Sequence, residues 1–302
     1  MDAFIQAAGR LNTVQAVAAY GSALPMQEQA QKFPEPGEAH VWSARLNSTP
    51  NQYEVFFSTL SSDERKRAER FVFERDSKRY IIARGILREL LGNYLDVKPD
   101  QVCFSYGKYG KPHLAESRAG SGLEFNLSHT ADSAVYAFAN RTQIGIDIEP
   151  LSNGLAWRQL APIVFSEKEQ AELAMIPEAE QAGAFLRGWT RKEALVKACG
   201  FGLSLNLNTF DVPLGTARKP SAVQLPAIPP KSVGTRKQAN VWWLYPIELN
   251  TDCAAALAVK EAPLRVIAKR WGDWSTRVNP AVTGTHQFEE AVPPARLARH
   301  SL

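Results

Sequence analysis

The sequence predicts an α+β protein in two halves, each with helices followed by short, mainly antiparallel strands. Three observations carry that reading. Two capping boxes, Ser61 with Glu64 and Ser166 with Glu169, each open a helical segment. After each helical segment come short strand-like runs separated by Gly, Asn, Asp and Ser. No repeat of 20 to 50 residues suggests a solenoid or propeller, and 45% hydrophobic with 22% charged residues is ordinary globular composition.

In chain order, residues 1–38 are rich in Ala, Gln and Ser and break at Pro34, Pro36 and Gly37, which reads as a loosely attached extension. Ser61 and Glu64 cap a charged helix over 62–71. A second helix from about Asp76 places Ile82, Ile86, Leu87, Leu90 and Leu91 at three- and four-residue spacing, with Gly92 as its stop. Strands are expected at 102–106, 123–127, 133–139 and 144–148. The Ser166 box then starts a helix to about Met175, and a longer helix from about Ala182 to Ala198 stops at Gly200 and Gly202. Strands return at 209–212, 241–245 and 254–259. Residues 213–240 hold five prolines and five Lys or Arg without an acid, the composition of a solvated basic loop. From about Lys269 to Leu302 periodicity is lost, as in a loose tail. The expected division is therefore 1–38, an extension; 39–145, a first half; 146–268, a second half; and 269–302, a tail.

A formal charge of +4 is too weak for a protein that coats nucleic acid and suits an anionic substrate or an acidic partner. Cys103, Cys199 and Cys253 have no paired spacing, so they read as free thiols in a reducing cytoplasm. The longest apolar run, Cys253 to Val259, falls far short of the ~20 residues of a spanning helix. Arg10 stands where a secretory signal would need an apolar core. The expected location is cytoplasmic, with no membrane and no nucleic-acid partner.

The run Ile144-Gly145-Ile146-Asp147-Ile148-Glu149 is the most informative. A strand period of two puts Asp147 and Glu149 on one face and the isoleucines on the other. Two carboxylates about 6 to 7 Å apart suit a hard cation such as magnesium, or a solvated sheet edge. On the long helix, Glu193 and Lys197 share a face with Trp189, as a surface ion pair or as the lining of a crevice. Phe125 to Thr130 ends a strand in Ser128 and His129, which could donate to a phosphate, or simply form a turn. These two neighbours point to opposite faces, which disfavours a hydrolytic pair. Glu169 is explained as a helix cap and is also available as a general base.

Taken in this order and spacing, Gly145 to Glu149, Trp189-x-x-Lys192-Glu193-Ala194-x-x-Lys197, Asn126 to His129, Gly110-Lys111-Pro112 and Phe165 to Glu169 resemble the 4′-phosphopantetheinyl transferases of the large monomeric type. The resemblance covers roughly residues 55 to 260. It implies two similar halves in pseudo-twofold arrangement, with coenzyme A between them and magnesium on its pyrophosphate. By the same resemblance Asp147, Glu149 and Glu193 are metal ligands. Ser128 and His129 meet the 3′-phosphate, Lys192 and Lys197 the pyrophosphate, and Lys111, Arg65 and Arg67 are further coenzyme A contacts. The implied reaction is attack by a carrier-protein serine on the phosphorus bearing the pantetheine arm, releasing 3′,5′-ADP, with Glu169 taking the serine proton and Lys197 assisting departure. The implied partners are acyl or peptidyl carrier proteins, and the enzyme is expected to be a monomer. A non-catalytic binder of coenzyme A or carrier is the alternative, and a phosphohydrolase would need further Asp or His ligands.

Overall fold

The computed structural model describes residues 33–272 apart from 116–118, 152–153, 201, 203–204, 217–218, 227–239, 250–251 and 261–263. Helices begin where side chains can satisfy the first free backbone N–H groups. A capping box of Thr49 and Gln52, with Pro50 at the first position, opens α1 (Pro50–Thr59). The box of Ser61 and Glu64 opens α2 (Ser62–Ala68). Next, α3 (Glu74–Leu95) runs three residues past the expected stop at Gly92. That glycine is there for proximity: a Cβ on it would stand 2.7 Å from the Val97 carbonyl oxygen. In the second half lie α4 (Trp157–Val164), α5 (Glu167–Met175) and α6 (Glu178–Cys199). Ser166 and Glu169 cap α5, and Gly200 ends α6 in the left-handed conformation at φ 69°.

Among the described residues ten strands fill the rest: β1 (Glu38–Arg45), β2 (Phe104–Tyr106), β3 (Pro112–Leu114), β4 (Leu123–Thr130), β5 (Ser133–Asn140), β6 (Ile144–Pro150), β7 (Ser221–Gln224), β8 (Val241–Pro246), β9 (Cys253–Val259) and β10 (Arg265–Arg270). One sheet has the order β10-β1-β5-β4, another β6-β9-β8-β7, and β2 and β3 form a separate hairpin. Every pairing is antiparallel except β1 with β10. The fold is α+β, as expected, in two helix-on-sheet halves.

Four layers result. Tyr136 on β5 donates to the Ala83 carbonyl of α3 at 3.0 Å, and Phe138 packs on Tyr94, which sets α3 on the outer face of the first sheet. Val135, Ala137, Ile144, Ile146, Ile148 and Leu257 form the core between the two sheets. On the far side, Ala194, Leu195 and Ala198 of α6 pack with Trp242, Leu244, Ala256 and Ala258. The isoleucines of β6 thus face the inter-sheet core, and Gly145, Asp147 and Glu149 face α6.

Three expectations change. A strand at 209–212 is replaced by a 3₁₀ turn at Leu207–Thr209 and extended chain, because side chains claim its polar backbone: the Val212 N–H donates to Glu169 and the Phe210 carbonyl accepts from Lys192. Residues 213–240 are not wholly a solvated loop, since Leu214 is buried and β7 buries Val223; 217–218 and 227–239 lie outside the described residues. The sheet continues through Lys269 and Arg270, and Trp271 packs on Phe56 and donates to Glu89 at 3.1 Å. The extension up to residue 32 and the tail from 273 onward also lie outside the described residues. Among those described, no helix is long and apolar enough to cross a membrane.

Candidate active site

Gly145 decides how close the metal-type strand comes to its helix. A Cβ there would stand 2.2 Å from the Ala194 carbonyl oxygen and 2.3 Å from the Ala198 nitrogen, so β6 and α6 touch backbone to backbone. Across the ladder, Asp147 and Glu149 pair with Ala256 and Ala254, whose small side chains leave the acidic face clear.

The approach brings Asp147 against the last turns of α6. Asp147 is 3% exposed, and its Oδ1 accepts from Lys197 Nζ at 2.6 Å and from Ser128 Oγ at 2.9 Å. Lys197 also donates to Ser128 Oγ at 2.8 Å. Asn126 ties the same two strands, accepting the Ile146 N–H at 2.9 Å. The other oxygen of Asp147, Oδ2, is buried and has no hydrogen-bond partner. Glu149 and Glu193 both titrate above the ordinary carboxylate range, first through burial and then through the charge of Asp147. Trp189 steadies Glu149 with its indole N–H.

This donor set fits a divalent cation chemically. An orphaned carboxylate oxygen in a buried site is costly unless a ligand takes it, and two further acids held partly against ionisation by their neighbour would both be relieved by positive charge. Among the described residues, no three His, Cys, Asp or Glu side chains already converge as ligands; Lys197 supplies the positive charge at Asp147.

A basic surface adjoins the cluster. His129 is solvent-facing, and its imidazole is held below its usual value by partial desolvation and by the charges of Lys197, Arg67 and Arg79. Arg67, Arg70 and Phe71 line an open concavity of about 420 Å³. Ser128, His129 and Arg67 thus lie in one neighbourhood with Lys197. Arg70 and Arg79 were not singled out from sequence, because one of many arginines on a charged helix carries no distinguishing pattern.

Glu169 and Lys192, expected as base and pyrophosphate contact, are engaged with each other and with backbone groups. Glu169 is 1% exposed and Lys192 is fully buried. Glu169 Oε1 accepts the Val212 N–H at 2.7 Å, while Oε2 accepts the Ser166 N–H at 2.8 Å and pairs with Lys192 at 2.7 Å. Lys192 gives its remaining N–H groups to the Leu207 and Phe210 carbonyls, each at 2.6 Å. Three donors and three acceptors are all committed. The first half repeats the device. Glu64, in its own capping box, pairs at 2.7 Å with Arg88, which donates to the Pro99 and Val102 carbonyls. Arg88 and Lys192 are each the fifteenth residue of a 22-residue helix. Glu64–Arg88 is thus an equivalent of the Glu169–Lys192 pair in the half without the acidic strand.

Two further contacts are also redirected. Arg65 turns back on α1, donating to the Ser58 carbonyl at 3.0 Å and lying over the Phe57 ring. Lys111 donates to the Ile144 and Ala198 carbonyls at 3.0 and 3.1 Å.

An acidic pair on β6 with Glu193 and Lys197 of α6, beside the basic side chains His129 and Arg67, is the donor set of a protein that handles phosphate esters. Residues 44–141 match the family model described as 4′-phosphopantetheinyl transferase, N-terminal, and residues 143–249 match that of the 4′-phosphopantetheinyl transferase superfamily. The chain is 38% identical over 222 residues to the 4′-phosphopantetheinyl transferase HetI of Nostoc sp., covering 74% of this chain and 87% of that protein. It is 32% identical over 164 residues to the transferase Sfp of Bacillus subtilis, covering 53% and 69%. With AcpT of Salmonella typhimurium it shares 39% identity over 138 residues, covering 46% and 68%. The chain belongs to the 4′-phosphopantetheinyl transferase superfamily and is a phosphopantetheinyl transferase.

Proposed function

We propose that the chain acts as a holo-acyl-carrier-protein synthase, moving the 4′-phosphopantetheine arm of coenzyme A to a serine of apo acyl or peptidyl carrier proteins and releasing 3′,5′-ADP. The observation that carries the site assignment is the buried, unpartnered Oδ2 of Asp147 beside Lys197. Asp147, Glu149 and Glu193 would hold a magnesium ion, which when bound supplies charge neutralisation at the pyrophosphate. Lys197, whose side chain is 30% exposed, can reach the leaving phosphate while still anchored to Asp147. His129 and Arg67 offer donors to the nucleotide phosphates, whereas Ser128 gives its one hydroxyl proton to Asp147 and serves to hold that carboxylate, and Arg70 and Arg79 add field to the same surface. Positioning and charge account for most catalysis in phosphoryl transfer, and this set provides both. Glu169, with both oxygens engaged, is left out of the proton path.

On this reading 39–145 and 146–268 are the two working halves, and the enzyme acts as a cytoplasmic monomer. Free thiols at Cys103, Cys199 and Cys253 suit a reducing compartment. The test is direct: apo carriers of fatty-acid, polyketide and peptide type are incubated with the protein, coenzyme A and magnesium, and each carrier's mass is read. Gain of one phosphopantetheine on at least one carrier, abolished by chelation, is expected. No gain on any carrier, with coenzyme A still bound, would favour the non-catalytic binder.

A further inference from the structure

Lys111 is a half-buried cation whose ammonium meets carbonyls. Its ammonium meets the carbonyl of Ile144, the first residue of β6, and that of Ala198, in the last turn of α6. Burial pushes its pKa down, and Glu124 favours the charge only through space. The lysine stem passes beside Gly200, the left-handed residue that ends α6. The helix C-terminus contributes partial negative charge, so the site is built for a cation with fixed direction.

What the two carbonyls have in common is the reacting cluster. Asp147 lies three residues beyond Ile144, and Lys197 immediately precedes Ala198. Around Gly145 the strand and helix touch with no side chain between them. Lys111, arriving from the turn between β2 and β3, is therefore a clamp across that bare contact, supplied by a hairpin that belongs to neither element. We infer that Lys111 is a positioning residue, whose ammonium holds β6 to the end of α6 and thereby sets Asp147 against Lys197, rather than a group that contacts coenzyme A. The inference rests on the proposed reading of the Asp147 site.

The test compares Lys111→Met, which keeps the stem and removes the donors, with Lys111→Arg, which restores donors and charge. With carrier saturating, Lys111→Met is expected to lower kcat at least tenfold while KM for coenzyme A changes less than twofold, and Lys111→Arg should recover part of kcat. A tenfold rise in KM at unchanged kcat would overturn the clamp in favour of direct contact. Should Lys111→Met fail to fold, the wild-type protein decides by nitrogen-15 NMR of its lysine ammonium groups. A Lys111 signal protected from exchange in the free protein, and unmoved by coenzyme A, supports the clamp; a signal that shifts on adding coenzyme A overturns it. Asp147→Ala run alongside keeps the two claims apart. Full transfer by that variant removes the site reading, whereas normal kinetics in Lys111→Met beside an inactive Asp147→Ala removes the clamp alone.

Discussion

Replacing Glu169 by glutamine separates scaffold from catalyst. The carboxylate accepts three hydrogen bonds, from Val212 N–H, Ser166 N–H and the Lys192 ammonium, at 2.7, 2.8 and 2.7 Å. Glutamine offers one acceptor oxygen, and its amide N–H₂ must then face either a backbone N–H or the ammonium. Lys192, fully buried, keeps its two carbonyls but loses its counter-charge. Breaking a buried pair by removing one partner costs about 3 to 5 kcal/mol. At about 2 to 4 °C per kcal/mol for a chain of this size, the lower figure predicts a melting temperature about 6 to 12 °C lower. Turnover measured well below that melting point should stay within about threefold of wild type, because a general base would contribute about 10² to 10⁴. The assay is calorimetry and carrier-loading kinetics on one preparation. An unchanged melting temperature with a hundredfold loss of turnover would refute the reasoning and restore Glu169 as the base.

Two other perturbations test different parts of the account. Gly145→Ala inserts a methyl where 2.2 Å separates it from the Ala194 carbonyl oxygen, so β6 and α6 must part; a stability loss of about 1 to 3 kcal/mol in a denaturant melt and at least tenfold slower transfer are expected, and wild-type kinetics would show that the close approach is irrelevant. Glu89, pushed up to about 7 by burial against the opposing pull of the Trp271 indole, is protonated in the folded state above the 4.5 at which the unfolded chain ionises. The stability it contributes is complete below 4.5 and is lost as pH rises through 7, so Glu89→Gln should flatten the pH dependence of unfolding over that window by up to about 3 kcal/mol; an unchanged slope would refute the shift.

Much of this was legible because it is local. The capping boxes at Ser61 and Ser166 start helices where expected, and the alternation in Ile144 to Glu149 assigns both faces of β6 correctly. By contrast, β1 and β10 pair in parallel across more than 200 residues, which no local pattern signals. The Thr49 and Gln52 box around Pro50 was readable as a helix start and shows that α1 lay within reach. For the site, helix geometry already separates the two lysines: Lys192 and Lys197 are five residues apart, about 140° around α6, so they face different surroundings. Lys197 goes with Glu193 to the acidic face, and Lys192 goes to the core. That Lys111 reaches carbonyls depends on where a hairpin docks, and the sequence holds no trace of it.

The central claim is that Asp147 anchors the transfer site. Its removal deprives Lys197 and Ser128 of their shared acceptor, yet relieves the charge that raises Glu149 and Glu193, so the fold should survive. The most direct measurement is the mass gain of an apo carrier with coenzyme A and magnesium, for wild type and for Asp147→Ala, each verified as folded by its thermal melt. The account predicts full loading by wild type and at least a hundredfold slower loading by the variant; loading by folded Asp147→Ala at the wild-type rate would contradict it.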